Sequence, residues 1–173
     1  MAAPHRIPVR RSIRLRRFDY RSPNAFFITL CTGQRRCLFG RIDDGVMHSS
    51  ALGCLVEHLW RQIGARCSHV VTHDLVLMPN HLHGILQIRT EGDARQQERF
   101  GRPVPGSLPT LMRSFKSAVT REARLRGLAT HVALWQRGYH EHVIRNQQDY
   151  LRIAQYMADN PRRWQQDRFY VAV

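Results

Sequence analysis

Hydrophobic and polar positions along the chain change period several times, and each period predicts a different kind of element. The run AFFITLC (25–31) is aromatic and β-branched, which is typical of a buried strand. A Gly- and Arg-rich stretch, GQRRCLFGRIDDG (33–45), then predicts a turn. From about residue 49 to 66 apolar residues recur at i, i+3, i+4 and i+7, which predicts a helix with one apolar face.

The middle of the chain predicts a β-hairpin followed by a long connection. HVVTHDLVLM (69–78) and HLHGILQI (81–88) both have strand character, and the Pro-Asn pair between them predicts the turn. Residues 89–107 are polar and rich in Gly and Pro, so they predict a flexible connection, and connections of this length are often functional. A second helix is predicted from about residue 108 to 125, with Ser107 as its N-cap.

The last part of the chain predicts a short strand, a loop and a final helix. HVALWQ (131–136) has strand character, and the residues after Gly138 are predicted to form a loop. The helix is expected from about Gln147 to Asn160, since Pro161 cannot continue it. This order of elements favours an α+β sandwich, with helices on one face of an antiparallel sheet.

The charge of the chain narrows the choice of partner. Its 173 residues include 27 Lys and Arg against 13 Asp and Glu, a formal net charge of +14, and Lys116 is the only lysine. Such an excess favours a polyanionic partner, and no basic amphipathic helix with a bulky apolar face points to a membrane. A GC-rich genome would account for arginine in place of lysine but not for the net charge. We therefore expect a nucleic-acid partner and no membrane.

The N-terminal residues are the most basic part of the chain. Residues 1–21 hold seven arginines and few apolar residues, so they predict a basic arm that orders on a partner, while residues 22–173 are expected to form a single domain. Neither the apolar core of a secretory signal nor an apolar run of roughly 20 residues is present. A cytoplasmic, nucleoid-associated protein is expected, and its cysteines are too widely spaced for a zinc knuckle and are expected to be reduced.

The segment His81-Leu82-His83 is the sharpest local feature. Residues two apart on a strand point to the same side, so both imidazoles can converge on a metal ion while Leu82 faces the other side. The alternative is a pair of partly exposed histidines beside a turn. A second pair, His140 and His142, lies in the predicted loop and is more consistent with substrate contact or a structural role than with metal ligation.

The final helix carries two candidate residues outside its apolar stripe. At about 100° per residue, Tyr150 falls near the middle of the stripe, which predicts a core position. Tyr156 falls well to the side, and Asn160 lies only roughly 40° from it, so the two are predicted to face one cleft. The alternative is a tyrosine that caps the edge of the core.

Four blocks taken together resemble the REP-associated tyrosine transposases, a branch of the IS200/IS605-like single-tyrosine transposases with a histidine–hydrophobic–histidine (HUH) motif. The blocks follow the family's order over nearly the whole chain: RRSIRLRRFDY (10–20), FFITLCTGQRRCLFG (26–40), LMPNHLHGILQI (77–88) and WQRGYHEHVIRNQQDYLRIAQYMADNP (135–161). The resemblance implies a ferredoxin-like α+β sandwich, with an extra C-terminal helix that carries a catalytic tyrosine.

The resemblance also implies roles for individual residues. Tyr156 would be the catalytic nucleophile, and His81, His83 and Asn160 would hold a divalent metal ion, Mg²⁺ or Mn²⁺. DNA contacts are implied for a set of basic residues: Arg10, Arg11, Arg14, Arg16, Arg17, His142, Arg145, Arg162 and Arg163.

Insertion-sequence relatives typically have glutamine where this chain has Asn160. Asp149 and Glu141 are nearby acids that could take that place as the third ligand.

The activity implied is metal-dependent cleavage and rejoining of single-stranded DNA at REP-type palindromic hairpins, through a 5′-phosphotyrosine, by a monomer or a homodimer. A phenol with a pKa near 10 is a poor nucleophile and needs such help, which a Lewis-acidic metal can supply. Two alternatives stay open. One is a metal phosphodiesterase that activates water, and the other is a domesticated protein that binds DNA hairpins without cutting them.

Overall fold

The computed structural model describes residues 22–89, 105–128 and 133–172, so the predicted basic arm (1–21) lies outside it. The elements follow in chain order: β1 (Asn24–Cys31), β2 (Gly40–Asp43), β3 (Val46–Ser49), α1 (Ala51–Arg66), β4 (Val70–Met78), β5 (His81–Ile88), α2 (Leu108–Leu125), β6 (His140–Ile144) and α3 (Gln147–Asp159). Short 3-10 helices lie at Gly33–Arg35 and Pro161–Gln166.

Four strands form one antiparallel sheet in the order β4-β5-β1-β6. Together with α1 and α2 they give the chain order βαββαβ, in which the two central strands are the first and third of the sheet along the chain. This is the ferredoxin-like arrangement, and it confirms the predicted α+β sandwich. The hairpin of β4 and β5 turns at Pro79 and Asn80, as expected.

The helices cover both faces of the sheet. One face packs on α1 and α2 through a large apolar cluster, to which β5 contributes Leu82, Leu86 and Ile88. The other face packs on α3 through a smaller apolar cluster, whose buried members are Ile85, Ile144, Ile153 and Met157. The prediction of helices on one face was therefore wrong for α3, because β5 is buried on both sides, with His81, His83 and Ile85 on the side that α3 covers.

Gly84 shows how tightly the large cluster packs against β5. A Cβ atom at this position would lie 2.4 Å from the Trp60 ring of α1. The strand can approach the indole only because residue 84 has no side chain.

Two segments predicted as irregular contain strands. Within 33–45 the chain forms β2, and Asp44 and Gly45, both with positive φ, turn it into β3. An Asp-Gly pair of this kind is a two-residue hairpin signal. The loop expected after Gly138 includes β6, which pairs with the outer side of β1.

The remaining boundaries agree closely with the sequence patterns. Helix α2 has the predicted bounds, and Ser107 precedes it, although its hydroxyl makes no capping hydrogen bond. The predicted strand at 131–136 is reduced, among its described residues, to one bridge between Trp135 and Thr32. No helix among the described residues is long and apolar enough to cross a membrane.

Candidate metal and nuclease site

The two histidines of the motif lie at the start of β5, on the face that α3 covers. His81 and His83 are 0% and 1% exposed, so they are not the partly exposed pair considered as the alternative. Their ring centroids lie 4.7 Å apart, and their Nε2 atoms are separated by 3.2 Å. Two imidazoles thus meet inside the protein, at one edge of its smaller apolar cluster.

Asn80 determines the tautomer of His81. The Nδ2 of Asn80 donates hydrogen bonds to the backbone oxygens of Arg35 and Phe169, at 3.1 and 2.8 Å. Its Oδ1 is therefore the atom that lies 2.9 Å from His81 Nδ1, and because this oxygen can only accept, Nδ1 carries the proton. His81 Nε2 therefore keeps its lone pair, and it is the atom that would bind a metal ion.

Thr29 allows His83 to adopt either tautomer. Thr29 lies opposite His83 in the register of β1 and β5, and its Oγ1 is 2.9 Å from His83 Nδ1. Because His81 Nε2 has no proton, His83 Nε2 donates across the 3.2 Å gap, and its Nδ1 accepts from the threonine hydroxyl. A hydroxyl can also accept, so Thr29 equally suits the tautomer that frees His83 Nε2 for an ion.

Burial keeps both imidazoles neutral. Desolvation, followed by the charges of His83, Arg168 and Arg35, lowers the pKa of His81 from 6.5 to about 2. Desolvation, followed by the charge of Arg168, lowers the pKa of His83 from 6.5 to about 3. Neutral imidazole is the form that ligates metals, so both side chains are in the ligating state at neutral pH.

A third possible ligand comes from Asp167, which the sequence patterns did not reveal. It follows the 3-10 helix Pro161–Gln166, and the ligating atoms of Asp167, His81 and His83 all lie within 4.8 Å of one another. Two neutral imidazoles and one carboxylate are a donor set suited to a divalent cation. A lone acid far from the motif gives no local signal of such a role.

The three residues considered for the third ligand differ in their surroundings. Asn160 ends α3 and is 3% exposed, and its Nδ2 has no hydrogen-bond partner within the described part of the chain. Asp149 bonds instead to His142 and Arg152, at 2.9 and 2.7 Å. Glu141 pairs with Ile28 of the large cluster, on the opposite face of the sheet. The two acids are therefore wrong as alternatives.

Tyr156 lies against one of the histidines. Its ring centroid is 5.5 Å from that of His83 and 6.2 Å from that of Phe27, which itself stacks on His83 at 5.1 Å. Tyr156 is 44% exposed, whereas the histidines are buried, so a substrate can approach the phenol from solvent. Tyr156 thus caps the edge of the smaller cluster and at the same time adjoins a candidate metal ligand.

Tyr150, predicted as a core residue, is partly buried against the smaller cluster. Its hydroxyl donates a hydrogen bond of 3.0 Å to Asp74 of β4. Tyr150 therefore ties the first turn of α3 to the sheet and lies outside the histidine cluster.

The structure describes only some of the residues that are predicted to contact DNA. Arg10, Arg11, Arg14, Arg16 and Arg17 lie outside the described residues. Arg145, Arg162 and Arg163 are exposed. His142 is also exposed and lies in β6, where it bonds to Asp149, whose pKa is lowered to about 2, first by Arg152 and then by His142.

Comparison with known proteins relates this geometry to a family. No protein-family model matches the chain. A solved structure of a REP-associated tyrosine transposase bound to a REP hairpin superposes with a TM-score of 0.60 over 87% of this chain and 73% of that one, at 20% identity. The chain has the fold of the REP-associated tyrosine transposases.

A relative in sequence extends the comparison. An uncharacterised protein of Haemophilus influenzae is 39% identical over 170 residues, which cover 94% of this chain and 93% of that protein. The chain therefore belongs to one family with the Haemophilus protein. The transposase likeness suggested by the four sequence blocks is thus confirmed as a likeness of fold.

Proposed function

We propose that this protein is a transposase-like endonuclease that cleaves and rejoins single-stranded DNA at REP-type palindromic hairpins, with Tyr156 as nucleophile. The observation that carries the proposal is the position of an exposed tyrosine against His83 of a buried, neutral histidine pair. Packing alone does not require the histidines, since an apolar pair would fill the same space without burying polar atoms.

His81, His83 and Asp167 would hold a divalent metal ion. Asn160, at the end of the same helix as Tyr156, adds a buried amide whose Nδ2 has no hydrogen-bond partner in the described part of the chain. When bound, Mg²⁺ or Mn²⁺ would supply Lewis-acid polarisation of the scissile phosphate. The orienting bonds from Asn80 and Thr29 fit this role, because metal-ligating histidines almost always have their other nitrogen held in this way.

The reaction of Tyr156 is a phosphoryl transfer. Its Oη forms a bond to phosphorus as the bond from phosphorus to the 3′ oxygen of the preceding nucleotide breaks; the phenolic proton passes to solvent, and the leaving 3′ oxygen takes a proton from solvent. The products are a 5′-phosphotyrosine and a free 3′-hydroxyl. Because the phosphodiester energy is retained in the tyrosine linkage, a later 3′-hydroxyl can reverse the step without ATP.

The basic residues would supply affinity for the DNA. Arg145, Arg162 and Arg163 are exposed near the two ends of α3, the helix that carries Tyr156. The predicted arm, residues 1–21, would add further phosphate contacts. Phosphate binding of this kind weakens steeply as salt is raised. A REP hairpin is the ligand in the solved transposase of the same fold, which supports a hairpin as the substrate class here.

The test is a cleavage assay on single-stranded hairpins taken from repeats beside the gene, labelled at the 5′ or the 3′ end. With Mn²⁺ we expect a denaturation-resistant protein–DNA band that carries only the 3′ label, and we expect Tyr156→Phe to abolish it. Tyr150→Phe is the matched control, because Tyr150 lies on the same helix but bonds to Asp74 instead of adjoining the histidines.

Two other outcomes would replace the proposal. Metal-dependent cleavage that survives Tyr156→Phe would indicate a phosphodiesterase that activates water. Tight hairpin binding without cleavage, unaffected by His81→Ala or by metal, would indicate a binding protein.

A further inference from the structure

Two arginines beside the histidine pair are absent from the residues that the sequence patterns singled out. Arg35 ends the 3-10 helix Gly33–Arg35, and Arg168 follows Asp167, and both side chains are exposed. Their guanidinium carbons lie 5.4 and 4.5 Å from the centre of the Phe169 ring. The same ring is 4.7 Å from that of His81, so two cations stand at the edge of the candidate metal site.

The backbones that carry these arginines are fixed to the site itself. Asn80, which orients His81, donates to the backbone oxygens of both Arg35 and Phe169. The Arg35 side chain donates a further hydrogen bond of 3.2 Å to the backbone oxygen of Arg168. One amide therefore sets the positions of the histidine, the Arg35 turn and the segment that carries Arg168.

The turn that presents Arg35 is conformationally costly. Gln34 and Arg35 both have positive φ, at 57° and 55°, which non-glycine residues seldom adopt. Gly33 permits the turn, because a Cβ there would lie 2.2 Å from the Ala133 oxygen. Such strain persists only where the surroundings enforce it, and it clusters at ligand-binding and catalytic sites.

The adjacent arginine provides a contrast. Arg36 uses its guanidinium to hold the turn, donating to the backbone oxygens of Gly33 and Ala133 at 3.2 and 3.1 Å. Arg35 has only the bond to Arg168 among the described residues, which leaves most of its N–H groups to solvent. Arg36 is thus a structural residue, whereas Arg35 keeps most of its donors exposed beside Phe169.

The charges of Arg35 and Arg168 are not neutralised by the described part of the protein. Neither makes an ion pair with an acid in the described ranges, while Asp167 faces the histidines as a candidate ligand and accepts from the Phe169 N–H at 2.6 Å. Two guanidinium groups against one ring concentrate positive charge beside the histidine pair, and a bound anion would offset this charge. Planar guanidinium forks are well matched to phosphate oxygens.

We propose that Arg35 and Arg168 form a phosphate clamp, which binds the DNA backbone phosphate next to the scissile one and so sets the strand across Tyr156. The proposal rests on the proposed function, since the ligand is a phosphate of the same DNA substrate. The clamp would position the DNA strand and would take no part in the bond that Tyr156 forms.

The experiment measures binding of a single-stranded hairpin in the Tyr156→Phe background, where no covalent adduct forms. Arg35→Gln and Arg168→Gln are combined, since glutamine keeps much of the side-chain stem but not the charge. We expect affinity to fall about tenfold or more. The slope of log K against log salt should decrease by about 0.7 for each phosphate that is no longer neutralised. The lysine pair Arg35→Lys with Arg168→Lys should restore the slope, and Arg66→Gln, on α1 across the sheet, is the control.

A neutral methylphosphonate placed in turn at each linkage then locates the clamped phosphate. In the protein with both arginines, one position beside the scissile linkage should weaken binding, and in the double glutamine variant the same substitution should cause no further weakening. Unchanged slopes, an affinity equal to that of Arg66→Gln, or a sensitive linkage far from the scissile one would overturn the clamp. Failure of the proposed function is separate: wild-type protein would then form no tyrosine adduct, whatever the salt slopes are. If the protein does not bind the hairpin at all, both proposals are wrong.

Discussion

The two faces of the four-stranded sheet are made by the same strands but carry different kinds of side chain. On the face covered by α1 and α2, the strands contribute a broad apolar cluster that includes Phe26, Leu82 and Leu86. On the face covered by α3, four buried apolar residues adjoin two buried histidines. Because side chains alternate along a strand, β5 contributes to the main core with one set of residues and to the candidate site with the next.

The difference between the faces shows how a small domain can tolerate buried polar groups. Burying unpaired polar atoms is costly, and the large cluster supplies most of the apolar burial that offsets this cost. The histidines are also paired, through Asn80, Thr29 and one another. Stability therefore depends mainly on one face, and the proposed chemistry on the other.

Lowering the pH should have the largest effect, because it acts on the buried histidines of one face and not on the apolar cluster of the other. In the metal-free protein the pKa values of His81 and His83 are about 2 and 3, against 6.5 when unfolded. The unfolded chain therefore binds more protons below pH 6.5, so stability is full above that pH and is lost as the pH falls towards 3. We expect a decrease of about 1.4 kcal/mol per pH unit for each histidine, measured by urea unfolding. A flat profile between pH 7 and 4.5 would contradict the neutral buried pair, and His83→Gln should make the profile shallower.

Two neighbouring residues of β5, both fully buried, allow a direct comparison of the faces. Leu86→Ala removes packing from the large cluster and should lower the free energy of unfolding by about 2–5 kcal/mol. Ile85→Ala should fall at the lower end of this range, because its partners on α3 form a small cluster that can adjust. Ile85→Ala should nevertheless reduce cleavage more, since it loosens the helix that carries Tyr156. Equal decreases of stability with equal cleavage would show that the faces do not divide these roles.

Substitutions at Thr29 test a single hydrogen bond on the face of the sheet that carries the histidines. Thr29→Val preserves the shape of the side chain but removes the hydroxyl that bonds to His83 Nδ1, and should weaken Mn²⁺ binding about 10- to 100-fold in calorimetric titration. Thr29→Ser keeps the hydroxyl and should bind Mn²⁺ almost as the wild type does. If valine and serine behave alike, Thr29 only packs against the ring.

Local patterns in the sequence account for much of the fold. Alternation at β5, the helical spacing of α1 and α2 and the stop at Pro161 all predict elements that the structure contains. The errors arise where tertiary context decides. Strand β6 is short and polar at His140 and His142, so only its pairing with β1 identifies it. The second covered face also depends on tertiary packing, because the α3 side of β5 carries His81 and His83 beside Ile85 and has no continuous apolar pattern.

Less of the candidate site than of the fold can be predicted from the sequence. The motif located His81 and His83, but not their burial or the roles of Asn80 and Thr29, which depend on hydrogen bonds between segments distant in the chain. Asp167 and Arg168 reach the site only because the 3-10 helix after α3 turns the chain back towards β5. No periodic pattern around either residue predicts a role in the site.

The hydrogen bond between His81 and His83 has a consequence for any ion that the pair would bind. Each Nε2 is the partner of the other, so neither is left unsatisfied in the interior. An ion that used both Nε2 lone pairs would have to displace the proton between them, with the Thr29 hydroxyl turning to match. The same bond that satisfies the buried pair would therefore compete with the ion, and would lower its affinity by the free energy of that bond.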